Sequence, residues 1–189
     1  MSKNLFPNKG LVKRQAGPVI WLTGLSGPGK STIANELELR LENEGVKSYV
    51  LDGDNLRAGL NKDLGFSDDD RKENMRRISE VAKLFADSGI ITITAFISPF
   101  KEERAMARGV VGDTFIECHV NTSLETCEER DTKGLYAKAR AGIIPNFTGI
   151  DSPYEEPNHP DLVLEAGRFS VEGCVDKIIN YLEANKYVG

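Results

Sequence analysis

The chain has 189 residues, of which 40% are hydrophobic and 28% are charged, and its formal net charge is −5. This composition is that of an ordinary globular protein, and the length suits one domain with a substantial core. A negative net charge argues against a general nucleic-acid or membrane-surface binder, because sequence-independent contact with phosphates needs an excess of Lys and Arg. No apolar run approaches the roughly 20 residues that span a bilayer.

The first 17 residues are polar and lack the apolar segment of a secretory signal. We expect residues 1–17 to form a flexible arm that a ligand or a second subunit orders, ahead of a single domain over 18–189. Three widely spaced cysteines, Cys118, Cys127 and Cys174, suit reduced thiols in a cytoplasmic protein. Cys118 and Cys174 are expected to be small core residues.

Strand and helix signals alternate along the domain. The predicted strands are 18–23, 48–51, 90–97, 115–120 and 162–164. The predicted helices are 30–44, 68–88, 101–111, one that a capping box opens at 122–125, and 170–183, with loops over 56–67 and 130–158. This alternation predicts an α/β fold of three layers, in which helices cover both faces of a parallel sheet.

A phosphate-binding loop follows the first predicted strand and opens the first predicted helix. It contains the pattern Gly-x-x-x-x-Gly-Lys-Ser, and its residues are Gly24, Leu25, Ser26, Gly27, Pro28, Gly29, Lys30, Ser31 and Thr32. Glycines let backbone N–H groups approach phosphate oxygens, Lys30 supplies a point charge, and the Ser31 hydroxyl is suited to Mg²⁺. The order strand, loop, helix is the context that this motif requires, so we predict a P-loop NTPase fold that binds a nucleotide.

Polar residues also follow the other predicted strands. Asp52 and Asp54 come after the second strand and Ser98 after the third. Ligands of parallel sheets bind beyond the carboxyl ends of the strands, so we expect these segments to converge on the P-loop. There a carboxylate can hold Mg²⁺ through water or accept a proton from an attacking hydroxyl, although paired carboxylates also occur in plain turns.

Arginines and aromatic residues near this edge are candidates for substrate contact. Arg57 and Arg71 are better candidates than Arg76 and Arg77 for binding phosphate or sulfate oxygens, because some of the four must be solvated helix charges. Loop aromatics either cover a core or stack on a base, and Phe66 and Phe147 are of this kind.

The basic stretch 130–158 is predicted to be a lid that closes over a nucleotide, and Arg130 is expected to contact ATP. Asn61-Lys62-Asp63 is similar to a guanine-recognition motif, but that motif needs its acid at the next position, where Leu64 stands. A GTPase interpretation loses support there.

Seven segments, in this order, resemble adenylyl-sulfate kinases (APS kinases), and the resemblance covers nearly the whole chain beyond the arm. They are the P-loop with Gly24-Leu25-Ser26, Asp52-Gly53-Asp54-Asn55-Leu56-Arg57, Asp63-Leu64-Gly65-Phe66-Ser67, Arg71-Lys72-Glu73-Asn74, Phe96-Ile97-Ser98-Pro99-Phe100, Asp131-Thr132-Lys133-Gly134-Leu135-Tyr136 and Asn146-Phe147-Thr148-Gly149-Ile150-Asp151-Ser152-Pro153-Tyr154-Glu155. An ordered set of seven is far more specific than the P-loop alone.

The resemblance implies transfer of the ATP γ-phosphoryl group to the 3′-hydroxyl of adenylyl sulfate, with ADP and 3′-phosphoadenylyl sulfate as products, in sulfate assimilation. It implies Mg²⁺ as the cofactor and a homodimer, and it leaves open a functional pairing with ATP sulfurylase. The negative net charge argues against a nucleic-acid or membrane partner.

The resemblance also assigns roles by motif. Asp54 matches the acid near the 3′-hydroxyl, and Asp52 matches a residue that positions Mg²⁺ and substrate. The other matches to substrate-binding positions are Arg57, Phe66, Arg71, Asn74, Ile97, Ser98, Lys133, Leu135, Phe147 and Thr148; Phe66 and Phe147 stack on the adenine, and Lys133 and Leu135 lie in the lid. We therefore expect Lys30, Asp54 and Ser98 to be catalytic, and Ser31 and Asp52 to hold Mg²⁺, in part through water.

Family descriptions mark the Ser98 position as a phosphoserine intermediate, but a P-loop site needs only positioning and electrostatics, so we favour direct in-line transfer. Two departures stand out: Pro28 occupies a position where relatives usually carry Ala or Ser, and Ala58 one where His is common. The regulatory cysteine pair of plant members has no counterpart before Cys118.

Two alternatives stay open at this point. One is a different small-molecule kinase, for example of a nucleoside monophosphate, which the aromatic pair and the cluster of Arg57, Arg71 and Asn74 argue against. The other is a non-catalytic nucleotide-binding module, to which only Pro28 points, because proline removes one backbone N–H from the loop.

Overall fold

The computed structural model describes residues 15–189. Most of the predicted N-terminal arm, residues 1–14, lies outside the described residues. The described residues contain no helix with the length and apolar character needed to cross a bilayer.

Five parallel strands form one sheet in the order β2-β3-β1-β4-β5. They are β1 (Val19–Thr23), β2 (Ser48–Asp52), β3 (Ile91–Ala95), β4 (Phe115–Asn121) and β5 (Leu162–Glu165). Every residue of β1 and β3 is buried, which explains why these strands are continuous apolar or β-branched runs rather than alternating patterns. The central position of β1 puts the loop that follows it in the middle of the sheet edge.

Helices cover both faces of this sheet, as the alternation predicts. They are α1 (Lys30–Asn43), α2 (Gly53–Ala58), α3 (Asp68–Asp87), α4 (Lys101–Val111), α5 (Leu124–Arg130), α6 (Leu135–Arg140) and α7 (Val171–Ala184). One apolar cluster joins the sheet to α1 and α7, and a second joins the opposite face to α3 and α4. The prediction of a three-layer α/β fold is confirmed.

Two short helices replace stretches that were predicted as irregular. Helix α2 starts directly after β2, because the Asp52 carboxylate accepts the backbone N–H of Asp54 at 2.9 Å and caps the helix. Helix α6 lies inside the 130–158 stretch, where the Asp131 carboxylate accepts the backbone N–H groups of Tyr136 and Ala137, both at 3.0 Å. In both helices the cap is a local contact of a carboxylate. Because the same residue type also suits a plain turn, the sequence pattern alone does not distinguish a helix start from a turn.

The predicted capping box is shifted by one residue. Ser123 caps α5 and accepts the backbone N–H of Thr126 at 3.2 Å. The expectation for the cysteines is confirmed: Cys118 in β4 and Cys174 in α7 are buried free thiols, and so is Cys127 in α5. Burial raises the pKa of the Cys118 thiol, because a thiolate there would be desolvated.

Candidate active site

The segments that follow β1, β2 and β3 meet at one edge of the sheet, as expected for parallel strands. Ser31 Oγ at the start of α1 donates to Asp52 Oδ2 at the end of β2, at 2.8 Å. The backbone N–H of Gly24 donates to the carbonyl of Ile97 at 3.4 Å. The P-loop, the acidic segment and the segment after β3 therefore form one crevice.

Glycines are required at two points of the P-loop. Gly24 has φ of 152°, and a Cβ on it would lie 2.7 Å from the carbonyl oxygen of Val120 in β4. Gly29 lies in the left-handed region, with φ of 104° and ψ of 12°, and precedes α1. The loop therefore turns sharply into the helix, whose N-terminal backbone N–H groups and dipole favour an anion.

Lys30 is the buried cation of this loop, and it is only 8% exposed. Its ammonium donates to the carbonyl of Gly24 at 2.9 Å and also to the carbonyl of Leu25. Burial lowers the pKa of Lys30 from 10.5 to about 7, because the charged form is poorly solvated, while nearby Asp52 acts in the opposite direction. A polyphosphate would supply the negative charge that this site lacks.

Asp52 uses both of its carboxylate oxygens. Oδ1 caps α2 through the N–H of Asp54, and Oδ2 accepts from the Ser31 hydroxyl. Ser31 and Asp52, the predicted metal ligands, therefore stand side by side. The Asp54 side chain is 77% exposed and points toward the lid rather than into the sheet.

The predicted lid contacts both sides of the crevice. Lys133 Nζ lies 2.5 Å from Asp54 Oδ2, and this contact raises the pKa of Lys133. The Tyr136 hydroxyl donates to the carbonyl of Ser26 at 2.9 Å. Arg130 donates from one guanidinium nitrogen to the carbonyl of Pro28, at 3.5 Å, and from another to that of Ala166, at 3.1 Å. The lid is thus attached to the P-loop at two points and to the acidic segment at one.

Arg57 and Phe66 form a second part of the site. The Arg57 guanidinium carbon lies 4.5 Å from the centroid of the Phe66 ring, and Nη1 donates to the carbonyl of Gly65 at 3.1 Å. Phe66 is 66% exposed. The guanidinium covers one face of this exposed ring. The opposite face is the one on which a base can stack.

Arg71 connects this part to the later portion of the predicted lid. Its guanidinium donates to the carbonyl of Phe66 at 3.0 Å and to that of Asn146 at 2.8 Å. Next to Asn146, the half-buried Phe147 meets Tyr136 edge to face with ring centroids 5.0 Å apart. Thr148 is 3% exposed and forms an isolated bridge with Ser152. The structure thus places Phe66, Arg71 and Phe147 on one side of the crevice.

Asn74 is placed differently from the other predicted substrate contacts. It is 5% exposed, and its Oδ1 accepts from the side chain of Asn61 at 2.9 Å. Asn61 itself belongs to the guanine-motif lookalike, whose Asp63 pairs with Arg77 at 2.7 Å. This local framework accounts for the lookalike, and it shows Arg77 as an ion-paired helix residue.

Ser98 is buried at the end of the segment after β3, beside Ile97. Its φ of 39° lies in the left-handed region, which is strained for a residue with a Cβ. Its hydroxyl accepts from the indole N–H of Trp21 at 3.1 Å, and the residue is 2% exposed. Leu135 is the first residue of α6, in the predicted lid.

Sequence reasoning missed three residues that build this site. The Trp21 indole N–H donates to the Ser98 hydroxyl, and the Tyr136 hydroxyl donates to the carbonyl of Ser26. Arg104 donates to the carbonyl of Ser98 at 2.6 Å. Arg104 lies in a stretch predicted as a charged helix, where the sequence does not distinguish a buried arginine from a solvent-exposed one. Only Tyr136 carried a signal, as an aromatic residue inside the predicted lid.

A model of the family described as adenylylsulphate kinase matches residues 16–165 of this chain. An adenylyl-sulfate kinase of Clostridium acetobutylicum is 57% identical over 179 residues, which are 95% of this chain and 90% of that protein. A probable adenylyl-sulfate kinase of Halalkalibacterium halodurans is 61% identical over 169 residues, which are 89% of this chain and 84% of that protein.

Solved structures agree with these sequence matches. The Mycobacterium tuberculosis APS kinase CysC in complex with AMPPNP and APS matches with a TM-score of 0.86 and 53% identity, over 89% of this chain and 98% of that chain. A hexameric APS kinase from Thiobacillus denitrificans matches with a TM-score of 0.72 and 30% identity, over 94% of this chain but 31% of that chain.

Proposed function

This chain belongs to the adenylylsulphate kinase family and is a kinase of adenylyl sulfate, and from that premise we propose that the γ-phosphoryl group of ATP passes directly, in line, to the 3′-hydroxyl of adenylyl sulfate in the crevice between the P-loop and Asp54. The resemblance drawn from the seven sequence segments is thereby confirmed. The observation that carries the mechanism is the Ser31–Asp52 hydrogen bond, which joins the donor and acceptor sides directly.

The donor side binds ATP through the P-loop. Its backbone N–H groups and the N-terminus of α1 bind phosphate oxygens. Lys30 leaves the carbonyls of Gly24 and Leu25 for the β- and γ-phosphates, whose charge restores the protonated ammonium. The guanidinium of Arg130, between Pro28 and Ala166, contacts the nucleotide from the lid side.

Mg²⁺ fits the residues between the two sides. A hydroxyl and a carboxylate, Ser31 and Asp52, are adjacent, and hard oxygen ligands of this kind are what Mg²⁺ prefers. The described residues hold no cluster of three His, Cys, Asp or Glu side chains for a metal, and Mg²⁺ bound with substrate phosphates needs only one or two protein ligands. When bound, the ion neutralises charge that develops on the phosphate oxygens.

The acceptor side positions adenylyl sulfate. Phe66 and Phe147 stack on its adenine, while Arg57 and Arg71 supply cations for its anionic groups. Asp54 accepts the proton of the 3′-hydroxyl as the new phosphate ester forms. Lys133, kept protonated beside Asp54, stabilises charge on the group in transfer once the lid closes over both substrates.

Ser98 is assigned here to positioning. Its hydroxyl already accepts from Trp21, and it sits in a buried, strained turn, which favours a structural contribution over a phosphoserine intermediate. The Ile97 carbonyl accepts from the backbone N–H of Gly24 in the P-loop. We assign Ile97, Thr148 and Leu135 to the walls of the acceptor region.

We further propose that the chain acts in the cytoplasm in sulfate assimilation, as a homodimer, on adenylyl sulfate that ATP sulfurylase produces. Three buried free thiols support a reducing compartment. Sedimentation of the full chain tests the dimer.

Release of ADP, measured with adenylyl sulfate or AMP as the acceptor, tests the activity. We expect turnover with adenylyl sulfate, and loss of that turnover with intact ATP binding in Asp54→Asn. Asp87→Asn, at the far end of α3, is the control and should match the unmodified protein. Turnover with AMP and none with adenylyl sulfate would contradict the proposal.

A further inference from the structure

Arg104 on α4 is a charged residue in the interior of the protein. It is 2% exposed, and its Nε lies 2.7 Å from Oε1 of Glu117 on β4, whose side chain is 12% exposed. Burying a guanidinium is costly unless it is paired and fully hydrogen-bonded. The pairing with Glu117 meets the first condition and leaves two guanidinium nitrogens for other partners.

Those two nitrogens bind carbonyls from two separate parts of the acceptor side. Nη1 donates to the carbonyl of Ser98, and Nη2 donates to the carbonyl of Glu155, both at 2.6 Å. A planar guanidinium with donors in a fixed fork sets the distance between the groups it binds, which a lysine ammonium does not do. Arg104 thus fixes the segment after β3 against the segment that follows Phe147.

Further contacts tie the same two segments together and to β1. The backbone N–H of Glu155 donates to the carbonyl of Pro99 at 2.9 Å. The Tyr154 hydroxyl and Thr23 Oγ1 are 3.0 Å apart, and Thr23 Oγ1 donates to the carbonyl of Ile97 at 2.7 Å. Thr23 directly precedes the P-loop. The network around Arg104 therefore reaches the donor side as well as both acceptor segments.

The network around Arg104 also stabilises the strained backbone of Ser98. A non-glycine residue at φ of 39° persists only when its surroundings hold it there. Trp21 donates to the Ser98 hydroxyl at 3.1 Å, and the Ser98 carbonyl accepts from Arg104 at 2.6 Å and more weakly from Thr23 Oγ1 at 3.3 Å, so Arg104 makes the shorter contact on the carbonyl.

We propose that Arg104, with Glu117 as its counterion, is a positioning residue for the acceptor, which sets the Ile97–Ser98 turn at the distance from the Phe147 segment that adenylyl sulfate requires. This role rests on the proposed function. It predicts that loss of the guanidinium fork weakens binding of adenylyl sulfate and leaves that of ATP largely unchanged, because the P-loop keeps its own contacts.

Two variants separate positioning from mere stability. Arg104→Lys keeps the charge beside Glu117 but not the fork. The double variant Arg104→Met with Glu117→Gln removes both buried charges, so it avoids an unpaired carboxylate and recovers folding stability. Neither presents the rigid guanidinium fork that holds the two carbonyls at a fixed distance. Arg108→Lys is the matched control, because Arg108 lies one turn further along α4 and contacts the same Glu117 at 3.7 Å, but pairs with Asp161 at 2.7 Å instead of with the two acceptor carbonyls.

The measurements are Tm, KM for both substrates, and the Kd of adenylyl sulfate by calorimetry. In Arg104→Lys and in the double variant we expect KM and Kd for adenylyl sulfate to rise about 10- to 100-fold, with KM for ATP within about twofold, whatever the Tm. Arg108→Lys should keep the wild-type KM for both substrates and the wild-type Kd for adenylyl sulfate. The positioning role is wrong if an active Arg104→Lys keeps its KM and Kd for adenylyl sulfate, or if its KM rises equally for both substrates. It is also wrong if the double variant binds adenylyl sulfate as the wild type does. These outcomes leave the proposed function intact. A wild-type protein that bound no adenylyl sulfate would overturn the proposed function as well.

Discussion

Lys133 Nζ and Asp54 Oδ2 are 2.5 Å apart across the mouth of the crevice, although both side chains are largely exposed, at 65% and 77%. An exposed ion pair contributes little to stability, at most about 1 kcal/mol. The pair therefore matters for the position of the lid over the acceptor side rather than for the fold.

Lys133→Ala is expected to lower kcat at least about 100-fold while Tm stays nearly unchanged, because it removes a cation beside the group in transfer and no buried contact. Lys138→Ala, on the outer side of the same lid, should retain full activity. Steady-state kinetics and a thermal melt check this, and a large fall in Tm with normal kcat would contradict it.

Nucleotide binding is expected to take up a proton at Lys30. The pKa of the free protein's Lys30 is about 7, so at pH 8 the side chain is mostly neutral, and the phosphates restore its charge. Uptake should therefore approach one proton at pH 8 and fall toward zero at pH 6, where Lys30 is already protonated.

Calorimetry in two buffers of different ionisation enthalpy measures this uptake. Lys30→Met is the control, since it should take up no proton at pH 8 beyond the nucleotide's own and should lose most activity. Equal uptake in both proteins would contradict the assignment.

Ser31→Ala is expected to weaken ATP binding in the presence of Mg²⁺ and to leave binding in EDTA unchanged. The reason is that the Ser31 hydroxyl, adjacent to Asp52, is assigned to the ion and not to the phosphates. Fluorescent-nucleotide titrations with and without Mg²⁺ check it. An equal loss of affinity in both conditions would show that the hydroxyl acts on the loop itself.

Phe66→Ala should raise KM for adenylyl sulfate about 5- to 150-fold, which corresponds to the loss of about 1–3 kcal/mol of base stacking. Phe66 is 66% exposed, so Tm should hardly change. Phe169→Ala is matched in exposure, at 64%, and lies before α7, so its KM should stay normal. Similar KM values in the two variants would remove Phe66 from the substrate site.

Ser98→Ala is expected to keep measurable turnover and to lower Tm, because Trp21 loses a buried acceptor. The unmodified enzyme, incubated with γ-labelled ATP and no acceptor, should carry no label on Ser98. Stoichiometric labelling that Ser98→Ala abolishes would instead establish a phosphoserine intermediate.

The sheet, its two helical layers and the P-loop could be predicted because each rests on local patterns: apolar strands, periodic helices, and glycines at fixed spacing. Asp54 was found for the same reason, by its place after a strand. Arg104 was missed because its neighbours, Glu117 and Glu155, are distant in the sequence, and a charged helix residue shows its burial only in three dimensions. Helices α2 and α6 were missed because each has six residues, too short for periodicity.

The pairing of β1 has a consequence for how the enzyme folds. Val19 pairs with Thr92 on one side and with Phe115 on the other, so β1 has no partner strand until about half of the chain has been synthesised. Parallel pairings of such long sequence separation form slowly, because the chain loses conformational entropy in closing the loop before it gains the contacts. The P-loop is the first part of the site to leave the ribosome, and the strand that carries it is paired on both sides only after β4 has been made.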